Sequence, residues 1–228
     1  MSDLDIVLRI TARREETPDT VSLFFARPPG LTYRPGDWLD IRFPVPEFPF
    51  GRTYSFASSP TEPDLRITFK RGVSPFKRRL ECAAPGETML ITQYGSNGFL
   101  LDRRFPAVFI AGGVGITPFR SMLKELVDTD TAVPVTLIYQ NGTPDFPFMG
   151  ELDDWARRCP WLTLWYRASA TDGRLSQATV RRLLPDLATQ QPLAYVAGPP
   201  GMVARAATFL HGLGLPEDDI KTDSFTGY

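Results

Sequence analysis

The sequence predicts two domains in series: an antiparallel six-stranded β-barrel over residues 1–104, then an α/β domain with a doubly wound parallel sheet over residues 105–228. Three observations predict it. Before the segment "LLDRRFPAVFIAGG", apolar residues come in short alternating runs broken by Pro and Gly, the texture of antiparallel strands joined by turns. After it, apolar runs alternate with helical stretches, the pattern of parallel strands joined by helical crossovers. The chain's 228 residues, 43% of them apolar, supply enough material for one large core or two of ordinary size.

The barrel strands are expected at "DIVLRI", "TVSLFFARP", "DWLDIRF", "RTYSFAS", "LRITFK" and "TMLITQY". One helix interrupts them at "SPFKRRLECAA", where Ser74 is placed to cap and Pro75 to take the first helical position. In the second half the strands "PAVFIA", "VTLIYQ", "LTLWYRAS", "LAYVAG" and "IKTDSF" alternate with the helices "PFRSMLKELV", "MGELDDWARR", "SQATVRRLL" and "PGMVARAATFLHGL". There is no internal repeat, and the junction near Arg103–Pro106 is too short for a flexible linker.

Composition excludes several functions. A formal net charge of −1 with both signs interspersed argues against a nucleic-acid or membrane surface. The start "MSDLDIVLRI" lacks a basic region leading into an apolar run, and no apolar stretch is long enough to span a bilayer, so a cytoplasmic protein is expected. Cys82 and Cys159 are too few for an iron–sulfur cluster or a structural zinc site, and packing roles are expected for both. His211, the sole histidine, is expected on the surface of a helix, and no metal site is expected. Oligomeric state is not legible.

In a doubly wound sheet, ligands gather at the carboxyl ends of the strands. The segment "AGGVGITPF" stands there, with Gly112, Gly113 and Gly115 allowing close approach of a phosphate, Thr117 placed to cap the helix and Pro118 in its first turn. Such glycines also serve plain close packing. A second loop, "VAGPPGMV", repeats the logic with Gly198, Pro199 and Gly201. Two such loops at neighbouring strand ends favour an extended ligand such as a dinucleotide.

The order "GDWLDIRF", "RTYS", "KRGVS", "GSNGF", "AGGVGITPFRSML", "AGPPGM" and "DSFTGY" resembles the ferredoxin–NADP reductase family of flavoprotein reductases along nearly the whole chain. The resemblance implies an FAD-binding barrel followed by an NAD(P)-binding domain. It implies that Arg52 neutralises the flavin pyrophosphate, that Tyr54 lies beside the ribityl chain and isoalloxazine, and that Ser55 hydrogen-bonds near the hydride-accepting ring nitrogen, with Thr53 in the same strand. Lys70, Gly72, Val73 and Ser74 are the implied second contact with the pyrophosphate. Gly112, Gly113, Gly115, Thr117 and Pro118 are implied at the nicotinamide-side diphosphate, flanked by Gly198 and Pro199. Ser55, Thr117, Asp223 and Tyr228 form the implied catalytic set, the last stacking on the flavin from the chain terminus.

The chain departs from the family pattern at two positions: Ala197 stands where many relatives have cysteine, and Asp223 where glutamate is common. Coenzyme choice between NADH and NADPH stays open, because Asn141, Gly142 and Ala170 stand where arginines are usual in NADPH users, while Arg174, with Arg167 nearby, matches a basic position. The implied activity is hydride transfer from NAD(P)H to FAD and onward electron transfer to a small electron-carrier protein, ferredoxin or flavodoxin first, or to an oxygenase component. A reductase of free flavin and a regulatory dinucleotide-binding module are the alternatives. Basic residues at Lys70, Arg71, Lys77–Arg79, Arg103 and Arg104 are candidates to meet an acidic partner or to form a solvated face.

Overall fold

The computed structural model describes residues 5–225, and Tyr228 therefore lies outside the described residues. The first half runs β1 (Ile6–Thr17), β2 (Thr20–Ala26), β3 (Trp38–Arg42), β4 (Arg52–Ser55), β5 (Asp64–Lys70), α1 (Pro75–Glu81) and β6 (Thr88–Gly95). These strands form one six-stranded antiparallel sheet in the order β4-β3-β6-β1-β2-β5. The sheet curls until its two ends approach: just beyond β4, the Ala57 amide donates to the Arg66 carbonyl of β5 at 2.8 Å. Alternation sends Leu8, Ile10, Leu23, Phe25, Leu39 and Ile41 into a common core. α1 adds Phe76 and Leu80 to it, with Pro75 in its first turn and the Ser74 hydroxyl accepting from the Lys77 amide at 3.3 Å.

The second half runs β7 (Ala107–Gly112), a 3₁₀ turn at Gly113–Gly115, α2 (Ile116–Asp128), β8 (Val135–Asn141), α3 (Met149–Arg158), β9 (Leu162–Ala168), α4 (Ser169–Asp172), α5 (Gln177–Leu183), α6 (Leu187–Gln190), β10 (Leu193–Gly198), α7 (Pro200–Gly212) and β11 (Ile220–Ser224). Its five strands are all parallel, ordered β11-β10-β7-β8-β9. The central strand β7 is buried along its whole length, which explains why it is apolar without alternation. Phe109 and Ala111 face a core shared with α2 and α3, and Val108 and Ile110 one shared with α5 and α7.

Two expectations need correction. α2 begins at Ile116 with Gly115 as its cap, so Thr117 sits inside the first turn, buried, its hydroxyl donating to the Val114 carbonyl at 2.8 Å rather than capping. Cys82, at the end of α1, is exposed and does not pack in a core. Cys159 is half-buried against the α2/α3 core, as expected. His211 is exposed on α7, also as expected. Among the described residues no helix is long and apolar enough to cross a membrane.

The two halves meet at Gly36. Its φ is +98°, and a Cβ there would lie 2.0 Å from the Phe99 carbonyl oxygen and 2.8 Å from Met122 Cε, while Phe99 itself packs on Phe119 and Tyr195. Gly36→Ala therefore combines left-handed strain with a main-chain clash and should lower stability by about 2–4 kcal/mol. Gly30→Ala, at φ +79° with nothing within 4 Å of a new Cβ, is the strain-only control and should cost about 1–2 kcal/mol in a urea titration.

Candidate functional site

β4 lies at the end of its sheet, paired to β3 so that Trp38 faces Ser55 and Ile41 faces Arg52. The Arg52 side chain is exposed: one Nη donates to the Gly51 carbonyl at 2.9 Å, and the guanidinium lies over the Phe76 ring at 5.5 Å. The rest of its fork is open to a ligand. Thr53 is exposed and gives its hydroxyl to the Asp40 carboxylate. The Tyr54 ring packs edge-on against Phe69, and burial pushes its phenol well above the ordinary range. Ser55 is buried, and no described residue hydrogen-bonds its hydroxyl. Its Oγ is not one of the buried polar atoms left without a partner, so it reaches the surface at the rim of the strand, where a bound polar ring can meet it.

Beyond β5 the "KRGVS" turn is only partly available. The Gly72 amide is taken by the Glu81 carboxylate at 2.9 Å, and Lys70 is paired with Asp19 at 2.9 Å. Ser74 is occupied as the cap of α1, whereas Val73, 84% exposed, projects freely. The basic stretches are largely neutralised by neighbours: Arg71 pairs with Glu15, Arg79 with Glu87, Arg103 with Glu125 and Arg104 with Asp102. Among the described residues Arg78 has no acidic partner.

The two glycine loops lie against each other. A Cβ on Gly115 would sit 2.2 Å from the Ala197 carbonyl oxygen, so that glycine is required by packing alone. Gly112 ends β7, and Gly113 turns the chain at φ +54° into the short turn before α2. Pro118 is buried in the first turn of α2. Gly198 ends β10 at φ +148°, and Pro199 and Pro200 lead into α7. Met202 fills the gap between the loops: its Cε lies 2.5 Å from where a Cβ on Gly112 would stand, and 2.8 Å from the same position on Gly198. Arg120 and Ser121 of α2 reach back to the Ala57 and Ser58 carbonyls, so the loop before α2 and the segment after "RTYS" are tied together.

Residues 109–208 match the family of oxidoreductase NAD-binding domains. The chain is 29% identical to the reductase component of propane 2-monooxygenase from Rhodococcus jostii, over 97% of this chain and 64% of that protein. It is 29% identical to ferredoxin–NADP reductase B of Sorangium cellulosum, over 95% of this chain and 96% of that one. Residues 109–208 thus carry the pattern of an oxidoreductase NAD-binding domain, and the whole chain is similar to a ferredoxin–NADP reductase. The FAD/NAD-binding domain of a Vibrio cholerae nitric oxide dioxygenase has the same fold, with a TM-score of 0.80 at 22% identity over 96% of this chain and 98% of that one. The chain spans between 58% and 64% of the length of the first curated relatives it matches.

The sequence reading missed the depression beside the second loop. There Arg174 is joined by Arg205 of α7, with Gln140, Leu175, Met202 and Phe209 lining the same depression. Neither guanidinium forms a hydrogen bond or ion pair with a described residue. Arg167, by contrast, is turned away to the Asp172 carbonyl. The bend from β10 into α7 brings Arg205 beside Arg174, a neighbour that sequence spacing alone does not disclose.

Asp223 stands in β11 directly opposite Ala197, half-buried, and burial raises its carboxyl pKa. The folded state then holds the proton more tightly than the unfolded chain does. The acid form carries no penalty below the unfolded carboxyl pKa, and stability is lost as pH rises through the raised value. Asp223→Asn should thus be more stable than the parent at about pH 7, with the gain vanishing toward about pH 4, as read from urea midpoints at both.

Proposed function

We propose that this chain is an FAD-dependent NAD(P)H oxidoreductase, its residues 1–104 holding FAD and residues 105–228 holding NAD(P)H, and that it delivers electrons to a separate redox protein. The observation that carries the reading is the pairing of an open Arg52 fork with the unpartnered hydroxyl of buried Ser55 on one strand, three residues apart. A guanidinium fork suits a pyrophosphate, and a hydroxyl suits a ring nitrogen. FAD supplies the two-electron acceptor that can release electrons singly.

The chain's own residues have distinct tasks in this scheme. Arg52 neutralises phosphate charge, Tyr54 offers an apolar ring stiffened by Phe69, and Ser55 donates its proton in a hydrogen bond at the flavin edge. Val73 and Ser74 provide the second phosphate contact, the Ser74 hydroxyl keeping its proton to donate while it accepts from the Lys77 amide as the cap of α1, and the Gly72 amide being occupied by Glu81. Gly113 and the start of α2 offer amide donors to the nicotinamide-side diphosphate, and Thr117, its hydroxyl spent on Val114, presents a buried wall to the nicotinamide. Gly198 and Pro199 form the opposite wall, Asp223 is the nearby acid of raised pKa, and Tyr228 is the aromatic cover. Arg174 and Arg205 suit an additional phosphate on the adenosine, which favours NADPH. For the acceptor, ferredoxin or flavodoxin remains the first assignment. An oxygenase component is the second, favoured by the name of the Rhodococcus relative.

Purified protein should keep a flavin spectrum through gel filtration and bleach anaerobically on addition of NADPH. A colourless protein that turns over only with added flavin would instead support the free-flavin reading. Arg52→Ala should weaken flavin retention by at least about tenfold with the fold intact by circular dichroism. Arg174→Ala and Arg205→Ala should each raise the KM for NADPH about tenfold while leaving that for NADH within about twofold, measured in steady state.

A further inference from the structure

We propose that Arg120, assisted by Ser121, is a positioning residue that sets the spacing between the flavin-side strand and the nicotinamide-side loop. The proposal rests on the hydride transfer proposed above. Arg120 lies three residues beyond Thr117 in α2, and Ala57 and Ser58 lie two and three residues beyond Ser55. An Arg120 Nη donates to the Ala57 carbonyl at 2.9 Å, and the Ser121 hydroxyl donates to the Ser58 carbonyl at 2.6 Å. Ser58 is itself held from the barrel side, its hydroxyl meeting the Tyr33 hydroxyl at 2.9 Å and accepting from the Arg66 amide at 2.9 Å. The two proposed reacting faces are therefore joined by a strut of a few residues on each side.

The strut is made rigid by buried charge. The Arg120 side chain is 3% exposed and grips two carboxylates: Glu62 of the barrel half, and Glu151 of α3, which accepts from Nε at 2.9 Å and from Nη2 at 2.6 Å. Glu151 also accepts from Arg66 of β5 at 2.8 Å, and Arg66 donates to Glu16 at 2.7 Å. The Phe148 ring stacks against both guanidiniums, 4.5 Å from Arg66 and 5.8 Å from Arg120. Replacing a buried pair of this sort by apolar residues is often neutral for stability, so stability alone does not explain it. A planar guanidinium fixes the direction of each bond; a lysine keeps the charge and loses that fork. Transfer between two bound groups is steeply sensitive to their placement, a 1 Å error costing about a hundredfold.

The discriminating variant is Arg120→Lys, with Ser121→Ala as a milder one that leaves every ion pair intact. The native thiols Cys82, in the barrel half, and Cys159, beyond α3, take one nitroxide each, and pulsed electron resonance reads the distance between halves without any added mutation. The expected result for Arg120→Lys is a distance distribution at least about twice as broad. It is accompanied by a single-turnover rate of flavin reduction lowered at least about tenfold, while coenzyme Kd and flavin retention stay within about twofold. Ser121→Ala should show the same split at about two- to threefold. An unchanged distribution and rate in folded Arg120→Lys would overturn the proposal, as would losses confined to Kd and flavin retention. Should Arg120→Lys not fold, parity of Ser121→Ala with the parent in both readouts overturns it. If the parent chain itself is never reduced by coenzyme, the proposed activity fails, and the distance distribution still decides whether Arg120 holds the two halves in place.

Discussion

Phe56 lies in the barrel core, stacked on Tyr33 at 3.9 Å, while its neighbour Ala57 lies in the core beneath α2. One peptide bond thus joins two hydrophobic cores. Successive residues of an extended chain point to opposite sides, so a segment wedged between two packed bodies must satisfy both at once. The hydroxyl, carbonyl and amide groups of Ser58 and Ser59 absorb the polar consequences: their partners are Tyr33, Arg66, Ser121, Thr61 and Glu62, drawn from both sides of the seam. Neither half can shift along the other without exposing apolar surface or stranding a buried hydrogen-bonding group.

This seam also relates the two sets of proposed site residues. "RTYS" ends where the wedge begins, and α2 starts from the glycine turn and presents Arg120 and Ser121 to it one turn later. The proposed site residues are at the rims of two sheets, and what relates them is the grip of the Arg120 and Ser121 side chains on the Ala57 and Ser58 carbonyls behind the cleft. Such a design leaves the cleft itself free to vary, which suits a fold whose relatives bear names as different as monooxygenase reductase and ferredoxin reductase.

Much of the architecture was legible because local pattern and tertiary role agree. Alternation in "DWLDIRF" and the unbroken apolar run of "AVFIAG" follow directly from a sheet buried on one face and a sheet buried on two. The Ser74 and Pro75 start of α1 was equally plain, since capping is a local event. What escaped was long-range. Nothing in "DLRITFK" marks Arg66 as 2% exposed, because its partners Glu16 and Glu151 stand 50 and 85 residues away in sequence. Gly72 looked like a free amide donor until Glu81, nine residues on, proved to occupy it. The expected capping by Thr117 failed because the glycine turn tightens into a 3₁₀ segment and starts the helix two residues sooner.

Met202 gives the second glycine loop a further property. Its thioether occupies the gap that the absent side chains of Gly112 and Gly198 leave between two main-chain walls. Methionine has three soft torsions, and swinging one of them away from its well costs on the order of 1 kcal/mol. A cleft plugged in this way is narrow at rest, yet it widens by moving a single flexible arm and leaves both walls in place. Met202 is half-buried, so the width of that gap is set by the packing of one adaptable side chain rather than by a fixed Cβ on either wall.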